Sequence, residues 1–342
     1  MSKYKKFMNN ALISVVIPAY NLPEYTAKTI DSIMSQTYRP IEIVISDDNS
    51  PISLKSLVKA KKDKCDAGIN IKYFRQQINL GYYWNLQFVL NEAVGKYLVL
   101  LDHDDWLIDL DFFSESIKAM ESKPDCFISI CNTLFELSPH PFLDIYYENW
   151  HYINGGTFIK NNLFNDLTPS RSAVIMRFDK LRDLDYQNYF IDNASAKPMN
   201  IHPDEAFVSI YLLASLGSVA ISGRIVSILG EPIGSNSRTL EWSSESFGIK
   251  SFAQYFMLHE YFKKVNFHEG VDAMFQNFIN IHHVSEINIA LLRYLKFQKL
   301  AIVFMAISFF KYYIRRLFAL PRTLITKLKI GRTWIIRKIL RF

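Results

Sequence analysis

Short apolar runs alternate with amphipathic helical patterns through the first hundred residues, and this alternation constrains the fold more than any other feature. It is typical of parallel strands joined by crossover helices. The pattern predicts strands at 14–17, 41–46, 71–74, 97–101, 126–131 and 172–176, and helices at 24–36, 82–94, 111–120 and 205–216. The interval 150–167 is rich in Gly and Asn and is predicted to be a loop region. We therefore expect an α/β fold with a central, mostly parallel sheet flanked by helices.

A polar cluster follows each of the first four predicted strands. The clusters are 19–21 (Ala-Tyr-Asn), 47–49 (Asp-Asp-Asn), 79–81 (Asn-Leu-Gly) and 102–105 (Asp-His-Asp-Asp). In an open parallel sheet the carboxyl ends of the strands share one edge, and ligands bind there near the topological switch point. The four clusters are therefore predicted to meet at one cleft.

The cluster at 102–105 contains two carboxylates, Asp102 and Asp104, separated by one residue. Both can face one divalent cation if the chain turns after the strand, and Mg²⁺ or Mn²⁺ prefers such hard oxygen ligands. A metal held in this way keeps positions open for phosphate oxygens. Acidic residues after a strand are also typical of the cap of a following helix, so this cluster alone leaves both interpretations open.

Two further acidic pairs have the chemistry of a binding or catalytic site. Asp47 and Asp48 can accept hydrogen bonds from a nucleobase imide or a ribose hydroxyl, although the surrounding residues are also those of an ordinary turn. Asp204 and Glu205 precede a predicted helix, where an acid could take the proton of a substrate hydroxyl. An acid at a helix N-terminus is also favoured by the helix dipole, so the capping alternative stays open.

The order and spacing of five segments resemble the family 2 glycosyltransferases over roughly residues 12–235. These segments are 14–21, 47–50, 79–81, 95–97 and 101–105. The resemblance implies a GT-A fold, a nucleoside-diphosphate sugar as donor, Mn²⁺ or Mg²⁺ as cofactor, and inversion at the anomeric carbon. Within this family the chain is similar to enzymes that build bacterial surface polysaccharides such as O-antigen, capsule or lipooligosaccharide. This similarity implies a glycan or polyprenyl-linked acceptor.

The resemblance also implies roles for individual residues. The nucleotide-binding set carried over in this way is Pro18, Ala19, Tyr20, Asp47, Asp48, Asn79, Asp102 and Arg238. Asp102 and Asp104 would form the DxD pair, with Asp104 as the direct metal ligand. The base would be Glu205 or Asp204, because the usual Glu-Asp order of the family is reversed here. Candidate acceptor contacts in the polar region are Asn154, Asn161, Asn162, Asp166 and Arg171.

Charge is distributed unevenly along the chain. No acidic residue follows Glu286, whereas 13 of the 39 Lys and Arg lie beyond it, so residues 1–286 carry 26 basic against 33 acidic residues. Basic amphipathic segments bind anionic lipid headgroups and bury apolar side chains at the interface. We therefore expect a glycosyltransferase domain at 1–240 and a helical region at 241–342 with a membrane-associating tail at about 291–342. A core-packing helix followed by a solvated tail is the alternative.

The cysteines indicate a cellular location for the protein, and motifs that are missing from the sequence exclude some classes of partner. Three cysteines without zinc-site spacing argue against a disulfide framework and favour a reducing cytoplasm. Together with the basic tail, this predicts a peripheral protein on the inner face of the plasma membrane. No nucleic-acid-binding motif accompanies the basic charge, so no nucleic acid partner is expected. The competing functions are a non-catalytic carbohydrate-binding or scaffolding subunit and a sugar nucleotidyltransferase, although the glycine-rich loop typical of the latter is missing.

Overall fold

The computed structural model describes residues 10–141, 147–165, 169–184 and 205–232, with the backbone alone at 138–141, 162–165 and 205–207. The strands of these ranges are β1 (Ile13–Ala19), β2 (Ile41–Asp47), β3 (Ile69–Arg75), β4 (Tyr97–Leu100), β5 (Trp106–Leu107), β6 (Cys126–Phe135), β7 (Ser138–Pro141), β8 (His151–Asn154), β9 (Val174–Arg177) and β10 (Ser218–Leu229). The helices are α1 (Pro23–Met34), α2 (Lys55–Lys62), α3 (Tyr82–Glu92), α4 (Phe112–Glu121), α5 (Gly155–Asn165), α6 (Phe178–Asp183) and α7 (Glu205–Ala214). A 3-10 turn at Arg171–Ala173 leads into β9.

The strands form one sheet in the order β3-β2-β1-β4-β9-β6-β10-β5, with β7 paired to β6 and β8 to β10. Strands β3, β2, β1 and β4 are parallel, whereas β9 lies antiparallel between β4 and β6. The predicted α/β architecture is confirmed, with a parallel first half of the sheet and a mixed second half. The chain leaves β1 on one side to reach β2 and returns on its other side as β4, which creates the topological switch point.

The core consists of two apolar layers, one on each face of the sheet. Helices α1, α2 and α4 cover one face, and α3, α5, α6 and α7 cover the other. Successive side chains of a strand point to opposite faces, so Val15 and Val16 belong to different layers. All side chains of β1 and β2 are buried, as expected for parallel strands covered on both faces.

The prediction of a loop at 150–167 is wrong, because β8 and α5 occupy most of this interval. The Oδ1 atom of Asn154 accepts the N–H of Gly156 at 2.9 Å and caps the first turn of α5. Gly155 packs against the end of α7, where an added Cβ would lie 1.6 Å from the carbonyl oxygen of Ala214. The Gly and Asn residues that suggested a loop therefore serve a helix cap and a close backbone contact.

The region 233–342 lies outside the described residues, as does residue 204. The predictions that fall there are the domain boundary at 240, the helical region at 241–342 with its basic tail at 291–342, and the roles of Arg238 and Asp204. In the ranges that the structure describes, no helix has both the length and the apolar character needed to cross a bilayer.

Candidate active site

Hydrogen bonds connect the polar clusters at the carboxyl edge of the parallel strands. The N–H of Asp48 donates to the carbonyl oxygen of Ala19 at 2.8 Å and joins the loops after β1 and β2. The Asp48 carboxylate accepts the N–H groups of residues 80 and 81 at 2.7 and 2.9 Å, which fixes the start of α3. The hydroxyl of Tyr82 then donates to Asp102 at 3.0 Å. The clusters that follow the four strands thus meet at one edge, as the sequence pattern predicts.

Backbone strain is concentrated at this same edge. The four residues of the described chain with positive φ are Asn21 (60°), Leu22 (51°), Asn49 (59°) and Gly81 (80°), all in the loops after β1, β2 and β3. Left-handed conformations are unfavourable for residues other than glycine, and such strain clusters at binding and catalytic sites. The strained turns after β1 and β2 therefore lie at the carboxyl edge, where a functional site is expected.

Asp47 is fully buried at the end of β2. Its carboxylate accepts four hydrogen bonds, from the N–H groups of Ser50 (2.8 Å) and Leu54 (3.1 Å), the hydroxyl of Tyr73 (2.8 Å) and the guanidinium of Arg75 (2.7 Å). Burial alone would raise the pKa of Asp47, but the hydrogen bonds from Ser50 and Leu54 outweigh it and keep the pKa below its ordinary value. These bonds show that Asp47 organises the loop after β2, and its contact with the nucleotide stays a prediction.

The other residues predicted to contact the nucleotide differ in exposure. Pro18 and Ala19 are buried within β1, whereas the side chain of Tyr20 is 42% exposed. Asn79 is exposed, and its side-chain oxygen accepts the N–H of Gly81 at 3.0 Å. Tyr20 and Asn79 therefore present side chains to solvent at the carboxyl edge.

Helix α1 fixes the backbone of the 102–105 loop. The Thr29 hydroxyl lies 2.6 Å from the carbonyl oxygen of Asp105 and 3.0 Å from that of His103. One turn later the Ser32 hydroxyl accepts the N–H of Leu107 at 3.0 Å. Both hydroxyls lie on the face of α1 that packs against the sheet, so this helix sets the position of the acidic loop.

The end of β10 supports the loop from the other side. The N–H of Gly230 donates to Oδ1 of Asp105 at 3.1 Å. An added Cβ on Gly230 would lie only 1.9 Å from the carbonyl oxygen of Asp104, so the close approach requires glycine. The acidic loop is therefore held between α1 and β10.

Three carboxylates crowd this loop, and the pKa values of Asp104 and Asp105 are raised. Burial and then the Asp102 carboxylate raise the pKa of Asp104, against the lowering effect of His103 and Arg171. Burial followed by Asp102 and Asp104 raises the pKa of Asp105 well above its ordinary value. The Oδ2 atom of Asp105 is buried and accepts no hydrogen bond. A bound cation would relieve this repulsion.

The partly exposed Asp102 and Asp104 have the oxygen ligands that suit Mg²⁺ or Mn²⁺. In sites for such ions, one or two carboxylates and the substrate's phosphates share the metal with water. Among the residues that the structure describes, no group of three or more His, Cys, Asp or Glu side chains has the arrangement to hold a metal ion.

Two side chains not assigned to the metal or the nucleotide contact Asp102. Arg171, predicted as an acceptor contact, has its Nε 3.5 Å from Oδ2 of Asp102. Tyr82 donates to Oδ1 of the same carboxylate and accepts a hydrogen bond from Arg171. Tyr82 directly follows the Asn79–Gly81 cluster, but only the fold brings its hydroxyl to Asp102. Asn154, another predicted acceptor contact, caps α5, and its role toward the acceptor stays a prediction.

The predicted catalytic acids are described only in part. Glu205 is the first residue of α7, and its backbone is described, whereas Asp204 and Arg238 lie outside the described residues. The roles of these three residues stay predictions.

Comparison with known proteins identifies the family. Residues 14–185, half of the 342-residue chain, match the model of Glycosyl transferase family 2. An uncharacterized glycosyltransferase of Rickettsia bellii is 25% identical over 264 residues, which are 76% of this chain and 34% of that protein. The Escherichia coli protein named UDP-Glc:alpha-D-GlcNAc-diphosphoundecaprenol beta-1,3-glucosyltransferase WfaP is 32% identical over 125 residues, 36% of this chain and 47% of that protein. The chain thus matches less than half the length of these curated relatives.

Solved structures agree on the fold. Residues 1–349 of S. aureus TarS superpose with a TM-score of 0.53 at 15% identity, covering 83% of this chain and 80% of that one. The same part of TarS in complex with UDP-GlcNAc gives a TM-score of 0.52 at 16% identity, with 72% and 66% covered. This similarity confirms the GT-A fold. Together, the family match over half of the chain and the shared fold establish that the chain belongs to glycosyltransferase family 2.

Proposed function

We propose that this chain is a metal-dependent, inverting glycosyltransferase. It would move a sugar from a nucleoside-diphosphate sugar to a hydroxyl of a lipid-linked or oligosaccharide acceptor in surface polysaccharide synthesis. The observation that carries this proposal is a set of hydrogen bonds at the carboxyl edge of the sheet. Asp48 accepts the N–H of residue 80, and the nearby Tyr82 donates to Asp102, next to the strained loops after β1 and β2. It lies at the switch point of the sheet, where α/β proteins bind nucleotides.

Asp102 and Asp104 would hold Mg²⁺ or Mn²⁺ together with the diphosphate of the donor. When bound, such an ion supplies positive charge that stabilises the leaving nucleoside diphosphate. The fixed loop backbone, held by Thr29 and Gly230, presents both carboxylates with little freedom to rearrange. Preorganisation of this kind lowers the cost of reaching the transition state.

Glu205 or Asp204 would act as the base at the start of α7. In the proposed step the acceptor oxygen attacks the anomeric carbon, the bond from that carbon to the diphosphate oxygen breaks, and the hydroxyl proton passes to the carboxylate. Attack from the face opposite the leaving group inverts the anomeric configuration. Arg238 would contact the diphosphate, and Tyr20 and Asn79 would contact the nucleoside.

The relatives support an acceptor bound to a polyprenyl diphosphate. WfaP is named as acting on a GlcNAc-diphosphoundecaprenol. A Campylobacter jejuni protein named GalNAc(5)-diNAcBac-PP-undecaprenol beta-1,3-glucosyltransferase is 36% identical over 97 residues, 28% of this chain and 30% of that protein. Such acceptors lie in the membrane, which fits the proposed basic tail at 291–342 and a peripheral location at the cytoplasmic face.

A panel of nucleotide sugars tests this proposal. The true donor should raise the melting temperature of the full chain in the presence of Mn²⁺, because a ligand that binds only the folded state stabilises it by mass action. The same donor should be hydrolysed slowly without acceptor and faster with Mn²⁺ than with EDTA. If no nucleotide sugar stabilises the protein or is consumed, the catalytic proposal fails and a non-catalytic carbohydrate-binding role replaces it.

A further inference from the structure

Tyr82, Asp102 and Arg171 form a closed triangle of contacts at the carboxyl edge. The Tyr82 hydroxyl donates to Oδ1 of Asp102 at 3.0 Å, and Nε of Arg171 lies 3.5 Å from Oδ2. Arg171 donates to the Tyr82 hydroxyl, and its guanidinium lies over the Tyr82 ring, 5.4 Å from the centroid. Three separate elements supply these residues, namely α3, the segment after β4 and the turn before β9.

The guanidinium of Arg171 brings a positive charge to the acidic loop at Asp102. Its Nε lies 3.5 Å from Oδ2 of Asp102, and stacking over the Tyr82 ring holds it at the edge where the acidic loop lies. The side chains of Arg171 and Asp102 are 23% and 25% exposed, so solutes reach both of them. The positive charge of Arg171 therefore lies beside the carboxylate to which a metal ion would bind.

We propose that Arg171 is a diphosphate-binding residue that holds Asp102 until the donor arrives. In the absence of ligand it pairs with Asp102, and in the complex it moves to the phosphate oxygens of the donor. This inference rests on the proposed function, because it assumes a divalent ion at Asp102 and Asp104.

Two physical arguments support this exchange. A guanidinium and a divalent cation cannot both approach Oδ2 of Asp102 without strong repulsion, so they compete for the same carboxylate. The guanidinium also presents a planar set of donors that binds phosphate oxygens in a bidentate manner, so the donor offers Arg171 a better partner than a single oxygen at 3.5 Å. Stacking on Tyr82 would keep Arg171 within reach of both positions.

Replacing Arg171 should strengthen the binding of Mn²⁺ and weaken the binding of the nucleotide. In Arg171→Met the stem is retained and the charge is lost, so Mn²⁺ alone should bind the full chain about 2- to 5-fold more tightly, because its competitor is gone. UDP in saturating Mn²⁺, with GDP as the second probe, should bind roughly 10- to 100-fold more weakly, because charge-assisted hydrogen bonds to phosphate are lost. Mn²⁺ binding is followed by electron paramagnetic resonance and nucleotide binding by calorimetry.

Matched variants separate this role from a structural one. Tyr82→Phe keeps the ring under Arg171 and removes only the hydroxyl, so it should change nucleotide affinity much less than Arg171→Met. Arg171→Gln repeats the test if the Met variant does not fold. If both ligands bind more weakly in the Arg171 variants, Arg171 only shapes the loop and the proposal is overturned.

The controls also distinguish failure of this inference from failure of the proposed function. If the wild type binds Mn²⁺ and nucleotide and the Arg171 variants bind them equally well, the role of Arg171 is wrong while the metal site stands. If the wild type binds no Mn²⁺ even with nucleotide present, the metal site of the proposed function is wrong and this inference falls with it.

Discussion

Glu42 and Asp47 lie near opposite ends of β2, and both are buried carboxylates with several donors. Glu42 is 2% exposed, accepts hydrogen bonds from Ser14 and from the N–H of Val94 at 2.6 Å, and pairs with Lys72 at 2.9 Å. Burial alone would raise the pKa of Glu42, but the hydrogen bonds from Ser14 and Lys72 outweigh it and keep the pKa below its ordinary value. Glu42 lies at the amino edge of the sheet, so it offers a stability test away from the site.

We predict that acid destabilises the protein partly through Glu42. The pKa of Glu42 is lower in the folded than in the unfolded chain, so its ionised form stabilises the folded state at pH values above the ordinary pKa of about 4. This stabilisation is lost as the pH falls through the lowered pKa. The free energy of unfolding from urea titrations should therefore fall between about pH 5 and pH 2. In Glu42→Gln the slope should be smaller and donor binding unchanged. An equal slope in both proteins would contradict the assigned role.

Asp47 is predicted to be needed for folding stability as well as for the site. Asp47→Ala removes the acceptor of two N–H groups and of one of the Arg75 hydrogen bonds, which should cost about 3 kcal/mol in urea unfolding. Tyr73→Phe removes only one of the four donors and should cost about 1 kcal/mol. A loss in Asp47→Ala no larger than that in Tyr73→Phe would show that the network does not hold the loop after β2.

Helix α1 is the element that positions the acidic loop, and Thr29 is its main contact. Thr29→Val keeps the shape of the side chain and leaves the carbonyl oxygens of His103 and Asp105 without this donor, at a cost of about 1–3 kcal/mol. It should also weaken binding of the nucleotide in Mn²⁺. Ser35→Ala is the matched control, because the Ser35 hydroxyl bonds only the Asp31 carbonyl at the exposed end of the same helix. If the two variants bind the nucleotide with equal affinity, the contact of α1 with the acidic loop does not contribute to nucleotide binding.

The elements that could be predicted from the sequence are those with a strong local pattern. β1 and β2 were predicted to within two residues because both are continuous apolar runs, and the acids at their ends stand next to them in the sequence. β10 was not predicted, because Gly223 and Arg224 interrupt its pattern at a point where its pairing with β6 shifts register. The contacts of Thr29 and Arg171 join distant segments, so no local pattern could show them.

At the scale of the whole molecule, the uneven charge predicts binding to anionic membranes through residues 291–342. Replacing Lys327, Lys329, Arg332, Arg337 and Lys338 by Gln in the full chain should reduce sedimentation with vesicles that contain anionic lipid. Each basic residue near such a surface contributes about 1 kcal/mol, so the loss should be large and should resemble that caused by high salt. Uncharged vesicles are the control. Equal sedimentation of both proteins would assign the tail another role.

The proposed function requires the nucleotide to bind with a metal ion at Asp102 and Asp104, and calorimetry of the full chain with UDP and GDP measures this binding. The wild type should bind one of them at least about 10-fold more tightly with Mn²⁺ than with EDTA, since the metal joins carboxylates and phosphates. Asp104→Asn should lose this enhancement, and Glu42→Gln should keep it. If Mn²⁺ enhances nucleotide binding by Asp104→Asn as much as by the wild type, Asp104 does not hold the metal ion and the proposed site is wrong.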